Sequence, residues 1–221
     1  VECVLFDLDG VLWNSMPAHT EAWNGAFDAL GYYDARFVPA LHGGLSTKDV
    51  LTLLVPNVAL SVRMHLQVLK NERFAREMIR VMPGAGSMLF DLRFQAGTKI
   101  AIVTGASRER AVRFVEKFLK SVGNVNVYTA EDVEFGKPEP EMFALAAEME
   151  HVQARECVMV DDGVAGIIGA AKAGMTPVGF TKDSFTAERL LDAGAVAVVQ
   201  SFGELRQWLI TNTTAGPRLF L

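Results

Sequence analysis

Six short apolar runs recur along the chain, at Val1–Phe6, Thr98–Val103, Val125–Thr129, Glu156–Val160, Thr176–Phe180 and Val196–Val199. Each is rich in strand formers and too short for a buried helix. Between them lie segments of helical periodicity, Ser107–Val122, Glu139–Met149, Val164–Ala173, Ser184–Ala193 and Phe202–Ile210. Alternation of this kind predicts an α/β fold, a parallel sheet with helices on both faces and right-handed crossovers.

One interval breaks the alternation. From about Ser15 to Met82 the pattern is helical, with helices predicted over Pro17–Gly31, Thr47–Leu54 and Leu60–Ile79. Gly43-Gly44 marks a tight loop between the first two, and Pro83-Gly84 closes the block. The simplest account is a helical domain over 15–82, inserted after the first strand of a core built from 1–14 and 83–211. Periodicity lapses from about Thr211, so 212–221 is expected to be a C-terminal tail.

Composition narrows the function. Half of the 221 residues are hydrophobic and 21% are charged, which suits a packed domain with a smaller appended one. The net charge of −5 comes with no basic stripe, so nucleic acid is not an expected partner. No apolar stretch approaches the ~20 residues of a membrane span. Cys3 and Cys157 each fall in a strand-like run and read as core thiols in a reducing compartment. A cytoplasmic or organellar location is expected; a chain that starts at Val1 leaves a removed leader open.

Ligands of open α/β sheets bind beyond the carboxyl ends of the strands. Asp7, Asp9 and Gly10 follow the first run, Thr104 and Gly105 the second, Lys137 the third, and Asp161 and Asp162 the fourth. Singly, each is ordinary: a lone aspartate there is more often a cap or turn residue. Together they place four carboxylates, a hydroxyl and an amine at one sheet edge. Those carboxylates would repel one another without a cation, and an oxygen-only donor set indicates a hard one such as Mg²⁺. A cation beside Lys137 and the Thr104 hydroxyl is a site for a phosphoryl group. Backbone N–H groups near Leu8–Asp9 and Gly105–Ala106 can add donors. A carboxylate can then attack phosphorus, and a second one two residues away can move the proton.

The run Phe6-Asp7-Leu8-Asp9-Gly10-Val11 resembles the opening motif of the haloacid dehalogenase superfamily. Thr104, Lys137 in Gly136-Lys137-Pro138-Glu139-Pro140, and Asp161-Asp162 with the following Gly166-Ile167 resemble its second, third and fourth motifs, in order and across nearly the whole chain. The resemblance implies a Rossmann-like core with an inserted α-helical cap. Ser15-Met16-Pro17, His19 and Trp23 are similar to the branch of β-phosphoglucomutase and small sugar- or polyol-phosphate phosphatases. It further implies Asp7 as nucleophile, Asp9 as acid/base, and magnesium on Asp7, the Asp9 backbone carbonyl and Asp162. Three positions depart from the pattern. Asn14 stands where many relatives carry Asp. Asp161 stands where close relatives often carry Glu, its shorter arm still able to hold a metal-bound water. Gly43 and Thr47 align with the mutase's basic cap pair, and neither is basic.

The expected activity is therefore a magnesium-dependent phosphatase acting on a small phosphorylated metabolite through an aspartyl-phosphate. The alternatives are a phosphosugar mutase, a dehalogenase or phosphonate-cleaving relative, and a non-catalytic binding or signalling protein. Asp7, Asp9, Thr104 and Lys137 are the expected catalytic residues, with Asp161 and Asp162 completing the metal site. Substrate contacts are expected from His19, Gly44, Ser46, Thr47 and Lys48 in the cap, and from Gly105, Ala106, Ser107 and Arg108 at a helix N-terminus. The cap is expected to hinge at Trp13–Ser15 and Met82–Gly84, and the protein to be a monomer or weak dimer.

Overall fold

The computed structural model describes residues 1–42, 47–182 and 184–212. Its elements run β1 (Cys3–Phe6), β2 (Trp13–Asn14), α1 (Met16–Ala29), α2 (Pro39–His42), α3 (Thr47–Leu54), α4 (Leu60–Arg76), β3 (Arg80–Val81), α5 (Ala85–Phe90), β4 (Lys99–Thr104), α6 (Arg108–Phe118), β5 (Asn126–Thr129), α7 (Glu141–Met149), β6 (Cys157–Asp161), α8 (Val164–Lys172), β7 (Thr176–Phe180), α9 (Ser184–Asp192), β8 (Ala197–Val199) and α10 (Phe202–Asn212). They form two compact units: Val1–Trp13 with the chain from Val81 onward, and Asn14–Arg80. Among the described residues no helix is long and apolar enough to cross a membrane.

The larger unit holds a parallel six-stranded sheet in the order β5-β4-β1-β6-β7-β8. Both faces are covered, which is why the strands read as unbroken apolar runs. Successive side chains point to opposite faces. Val4 and Phe6 of β1 therefore join Ile102, Val160, Met88, Phe114 and Phe202, while Cys3 and Leu5 join Val103, Met159, Phe143 and Ala170 on the other side. Cys3 and Cys157 face each other across β1 and β6 as free, fully buried thiols.

The strand order reverses at β1, with β4 and β5 on one side of it and β6 to β8 on the other. Such a reversal opens a crevice at the carboxyl edge. In register, Phe6 pairs with Ile102 of β4 and with Val160 of β6. The residues just beyond those positions, Asp7, Thr104 and Asp161–Asp162, thus emerge side by side.

The smaller unit is helical. Trp23, Ala26 and Phe27 of α1 pack with Phe37, Val50, Leu51 and Leu66. The Lys70 ammonium lies 5.6 Å from the Trp23 ring centroid and 5.0 Å from that of Phe74, and His19 packs on Phe74 at 4.3 Å. Such rings offer a buried cation their negative faces.

α4 and α6 fall furthest short of the ends that periodicity indicated. α4 stops at Arg76 because Glu77 turns extended, leading into β3, which pairs with β2 in a separate two-stranded sheet. α6 stops at Phe118 and gives way to a 3₁₀ turn over Lys120–Val122, closed by Gly123 at φ +80°. At the other end, α10 runs one residue past the expected tail boundary, to Asn212, and residues 213–221 lie outside the described ones.

Candidate active site

The sheet ladder continues one residue past β1: the Asp7 N–H donates to Val160 O at 2.9 Å. This fixes the Asp7 backbone and sets its carboxylate at the sheet edge, 6% exposed. The Lys137 ammonium, from the loop between β5 and α7, donates to Asp7 Oδ1 and to Asp161 Oδ2, each at 2.7 Å. Asp161, 2% exposed, also accepts the Gly163 N–H on Oδ1 at 2.8 Å. Carboxylate oxygens of Asp7, Asp161 and Asp162 all lie within 4.8 Å of one another.

Two glycines make room for these carboxylates. A Cβ on Gly10 would stand 1.8 Å from Asp162 Oδ2, and one on Gly166 would stand 1.8 Å from Asp161 Oδ2. Gly10 also sits at φ +82°, where an L side chain is strained. In the sequence both glycines are legible only as parts of motifs. Their steric necessity appears once the carboxylates across from them are in place.

Charge in the site is incompletely balanced. Burial pushes the Asp7 carboxyl up to about 7, against the attraction of Lys137 and with the help of Asp161 and Asp9. Asp162 is likewise held well above the ordinary carboxylate range, by burial first and then by Asp7 and Asp161. Burial also works against the Lys137 ammonium, but the adjacent Asp161 and Asp7 outweigh it and keep the group protonated above its ordinary range. Three carboxylates around one ammonium leave a local excess of negative charge. A divalent cation fits this set: the donors are hard oxygens and they converge.

Thr104 ends β4, 1% exposed, and its Oγ1 accepts the Ala106 N–H at 3.1 Å. Ser107 caps α6, its hydroxyl accepting from the Arg110 N–H. Gly105 is exposed and Ala106 buried. The Arg108 guanidinium is paired with Asp132, and the Arg108 backbone N–H donates to Glu131 Oε1 at 3.1 Å. Arg108 is thus tied to the segment after β5.

Asp9 lies apart from the cluster of Asp7, Asp161 and Asp162. Its two oxygens take Arg110 Nη2 at 2.9 and 2.8 Å. Sequence reasoning stopped at Ser107-Arg108 and missed Arg110, whose only linear signal is its place in the first turn of the helix after Thr104. His19, Thr47 and Lys48 belong to the helical unit: His19 on α1, Thr47 half-buried and Lys48 exposed at the start of α3. Gly44 and Ser46 lie outside the described residues.

The chain matches the family model for haloacid dehalogenase-like hydrolases over residues 1–174. The chain belongs to that family. Among its relatives, hexitol phosphatase A of Escherichia coli K12 is 32% identical over 171 residues, covering 77% of this chain and 78% of the relative. A phosphorylated carbohydrates phosphatase of Thermotoga maritima is 27% identical, covering 90% and 94%. The haloacid dehalogenase family hydrolase of Deinococcus radiodurans, solved with phosphate and sodium, is 26% identical with a TM-score of 0.73, each chain covering 95% of the other. Membership of this hydrolase family agrees with what the four motifs implied, an α/β hydrolase.

Proposed function

We propose that the protein is a magnesium-dependent phosphatase of a small phosphorylated carbohydrate, a sugar or polyol phosphate, working through an aspartyl-phosphate on Asp7. The observation that carries this reading is the set of Asp7, Asp161 and Asp162 beside Lys137, an anionic cluster, buried at Asp7 and Asp161 and half-buried at Asp162, with one cation of its own among the described residues. The names of the relatives support the substrate class.

Asp7 and Asp162, with Asp161 beside them and the Asp9 backbone carbonyl, would hold Mg²⁺. When bound, the ion supplies positive charge that offsets the negative charge of the phosphoryl oxygens. The chain does the rest. Lys137 binds a phosphoryl oxygen and keeps Asp7 aimed. The Thr104 hydroxyl, already accepting from Ala106, donates its proton to another oxygen. Asp7 attacks phosphorus, and Asp9 protonates the departing alcohol. Asp9 then takes a proton from the water that hydrolyses the aspartyl-phosphate. In the helical unit we assign substrate selection to His19, Thr47 and Lys48.

The test is phosphate release by purified protein with Mg²⁺ across sugar, polyol and short acid phosphates. Release from a sugar or polyol phosphate is expected. Silence across the panel from folded protein would overturn the reading, and isomerisation of a sugar phosphate faster than phosphate release would replace it with a mutase.

Gly10→Ala is expected to weaken Mg²⁺ binding by about 10–100-fold, the usual cost of disturbing a group that positions a ligand. The new methyl would occupy the place of the Asp162 carboxylate. The readout is the rise in melting temperature on adding Mg²⁺. Gly86→Ala, where a Cβ meets nothing within 4 Å, is the control. In wild type that rise should shrink as pH falls below about 7, because Asp7 then holds a proton in competition with the ion. An undiminished rise in Gly10→Ala would remove Asp162 from the metal site.

A further inference from the structure

The pair between Arg110 and Asp9 joins residues 101 positions apart in sequence. It is not an ordinary surface pair, since the side chains are only 29% and 19% exposed. Arg110 is also held from several sides. Its N–H caps onto Ser107 in the first turn of α6. Its guanidinium carbon lies 5.6 Å from the Trp13 ring centroid, and Trp13 packs on Phe114 of the same helix at 5.4 Å. Trp13 in turn clasps the backbone on either side of Asp9, its N–H donating to Leu8 O and its carbonyl accepting the Gly10 N–H, each at 2.8 Å. Asp9 therefore rests on a shelf made by Trp13 and Arg110, anchored on the first turns of α6.

One nitrogen makes both contacts. Arg110 Nη2 bridges Asp9 Oδ1 and Oδ2. Either contact can open while the other holds, so the carboxyl can turn one oxygen towards a leaving group without losing its anchor. Without the guanidinium, Asp9 would add a fourth anion beside a cluster that already exceeds the charge of Lys137. Like-charge repulsion would then drive its side chain away from the reacting centre.

We propose that Arg110 is a positioning residue that fixes the Asp9 carboxyl for proton transfer to the leaving alcohol. The inference rests on the phosphatase reading above. In the step it serves, the bond from Asp7 to phosphorus forms as the bond from phosphorus to the alcohol oxygen breaks. The electron pair stays on that oxygen, which takes the proton from Asp9, and Asp9 is left ionised against Arg110.

The experiment compares kcat/KM for an alkyl phosphate and for p-nitrophenyl phosphate in wild type, Arg110→Gln, Arg110→Lys, Asp9→Asn and Asp9→Asn/Arg110→Gln, all checked for fold by circular dichroism and melting. This ratio reports events up to departure of the alcohol. An alkoxide needs the proton from Asp9, whereas nitrophenolate departs without one. Arg110→Gln is expected to lower kcat/KM on the alkyl phosphate at least ~10-fold more than on the aryl phosphate, a fraction of the ~10²–10⁴ a general acid contributes. Arg110→Lys, which keeps the charge, should fall between wild type and Arg110→Gln. The double variant should show the same alkyl-to-aryl ratio as Asp9→Asn alone. A parallel loss on both substrates, no loss on either, or a faster alkyl reaction would each overturn the role of Arg110 while leaving the phosphatase reading intact. A wild type that releases phosphate from neither substrate nor from the metabolite panel would overturn both.

Discussion

Asp7→Asn is expected to reduce phosphate release by at least ~10³-fold, as loss of the nucleophile in a covalent mechanism does. Asparagine preserves volume, and its carbonyl can still accept from Lys137. Asp161 remains as that ammonium's second partner. The fold should therefore survive, and circular dichroism with a thermal melt is the check. The variant should also change how metal-free stability depends on pH. The Asp7 carboxyl titrates near 7 in the folded protein, above the ordinary 3.8. A carboxyl raised in this way binds its proton more tightly in the fold than in the unfolded chain. Its ionisation therefore costs stability, fully above about 7 and not at all below the ordinary value. Wild-type melting temperature should rise as pH falls through that window, and Asp7→Asn should flatten part of the rise. A folded Asp7→Asn protein that still turns over substantially would end the assignment of Asp7 as nucleophile.

Lys137→Met should have the largest effect on stability. The ammonium is the counter-charge shared by two buried carboxylates at 2.7 Å each. Removing one partner of a buried ionic group typically costs about 3–5 kcal/mol, because the remaining charge is left without compensation. For a chain of this size that corresponds to a fall of roughly 6–20 °C in melting temperature. The loss should be greater at neutral than at acid pH, since protonating Asp7 relieves part of the uncompensated charge. Turnover should fall as well, because the same ammonium would contact the phosphoryl group. An unchanged melting temperature measured without metal would show that Lys137 does not balance these carboxylates in solution.

The strands that carry the site were readable in the linear pattern because each is buried on both faces and so appears as an unbroken apolar run. Their acidic and hydroxyl ends stood out against those runs for the same reason. Asp7, Thr104, Lys137, Asp161 and Asp162 could thus be assembled at one edge from the rule that parallel strands share a carboxyl end. The α5 helix and the π-helical turn over Asp91–Gln95 that follows it were not read, because short elements lack the repeated spacing on which periodicity depends.

Side-chain partnerships of long sequence separation were beyond the linear pattern. Nothing in the spacing of Arg110 distinguishes it from the neighbouring Arg108 and Arg113. The first meets Asp9, the second Asp132 and the third Glu109 on its own helix. Which cation meets which anion depends on where α6 starts and how it lies against the loop after β1. Likewise Gly10 and Gly166 are necessary only because Asp162 and Asp161 occupy the space a Cβ would take. The amino-acid order specified the elements, the family and the chemical types at the sheet edge, since these follow from local burial and strand polarity. Three-dimensional packing set the pairing of charges and the space for carboxylates, since those depend on distances between residues far apart in the chain.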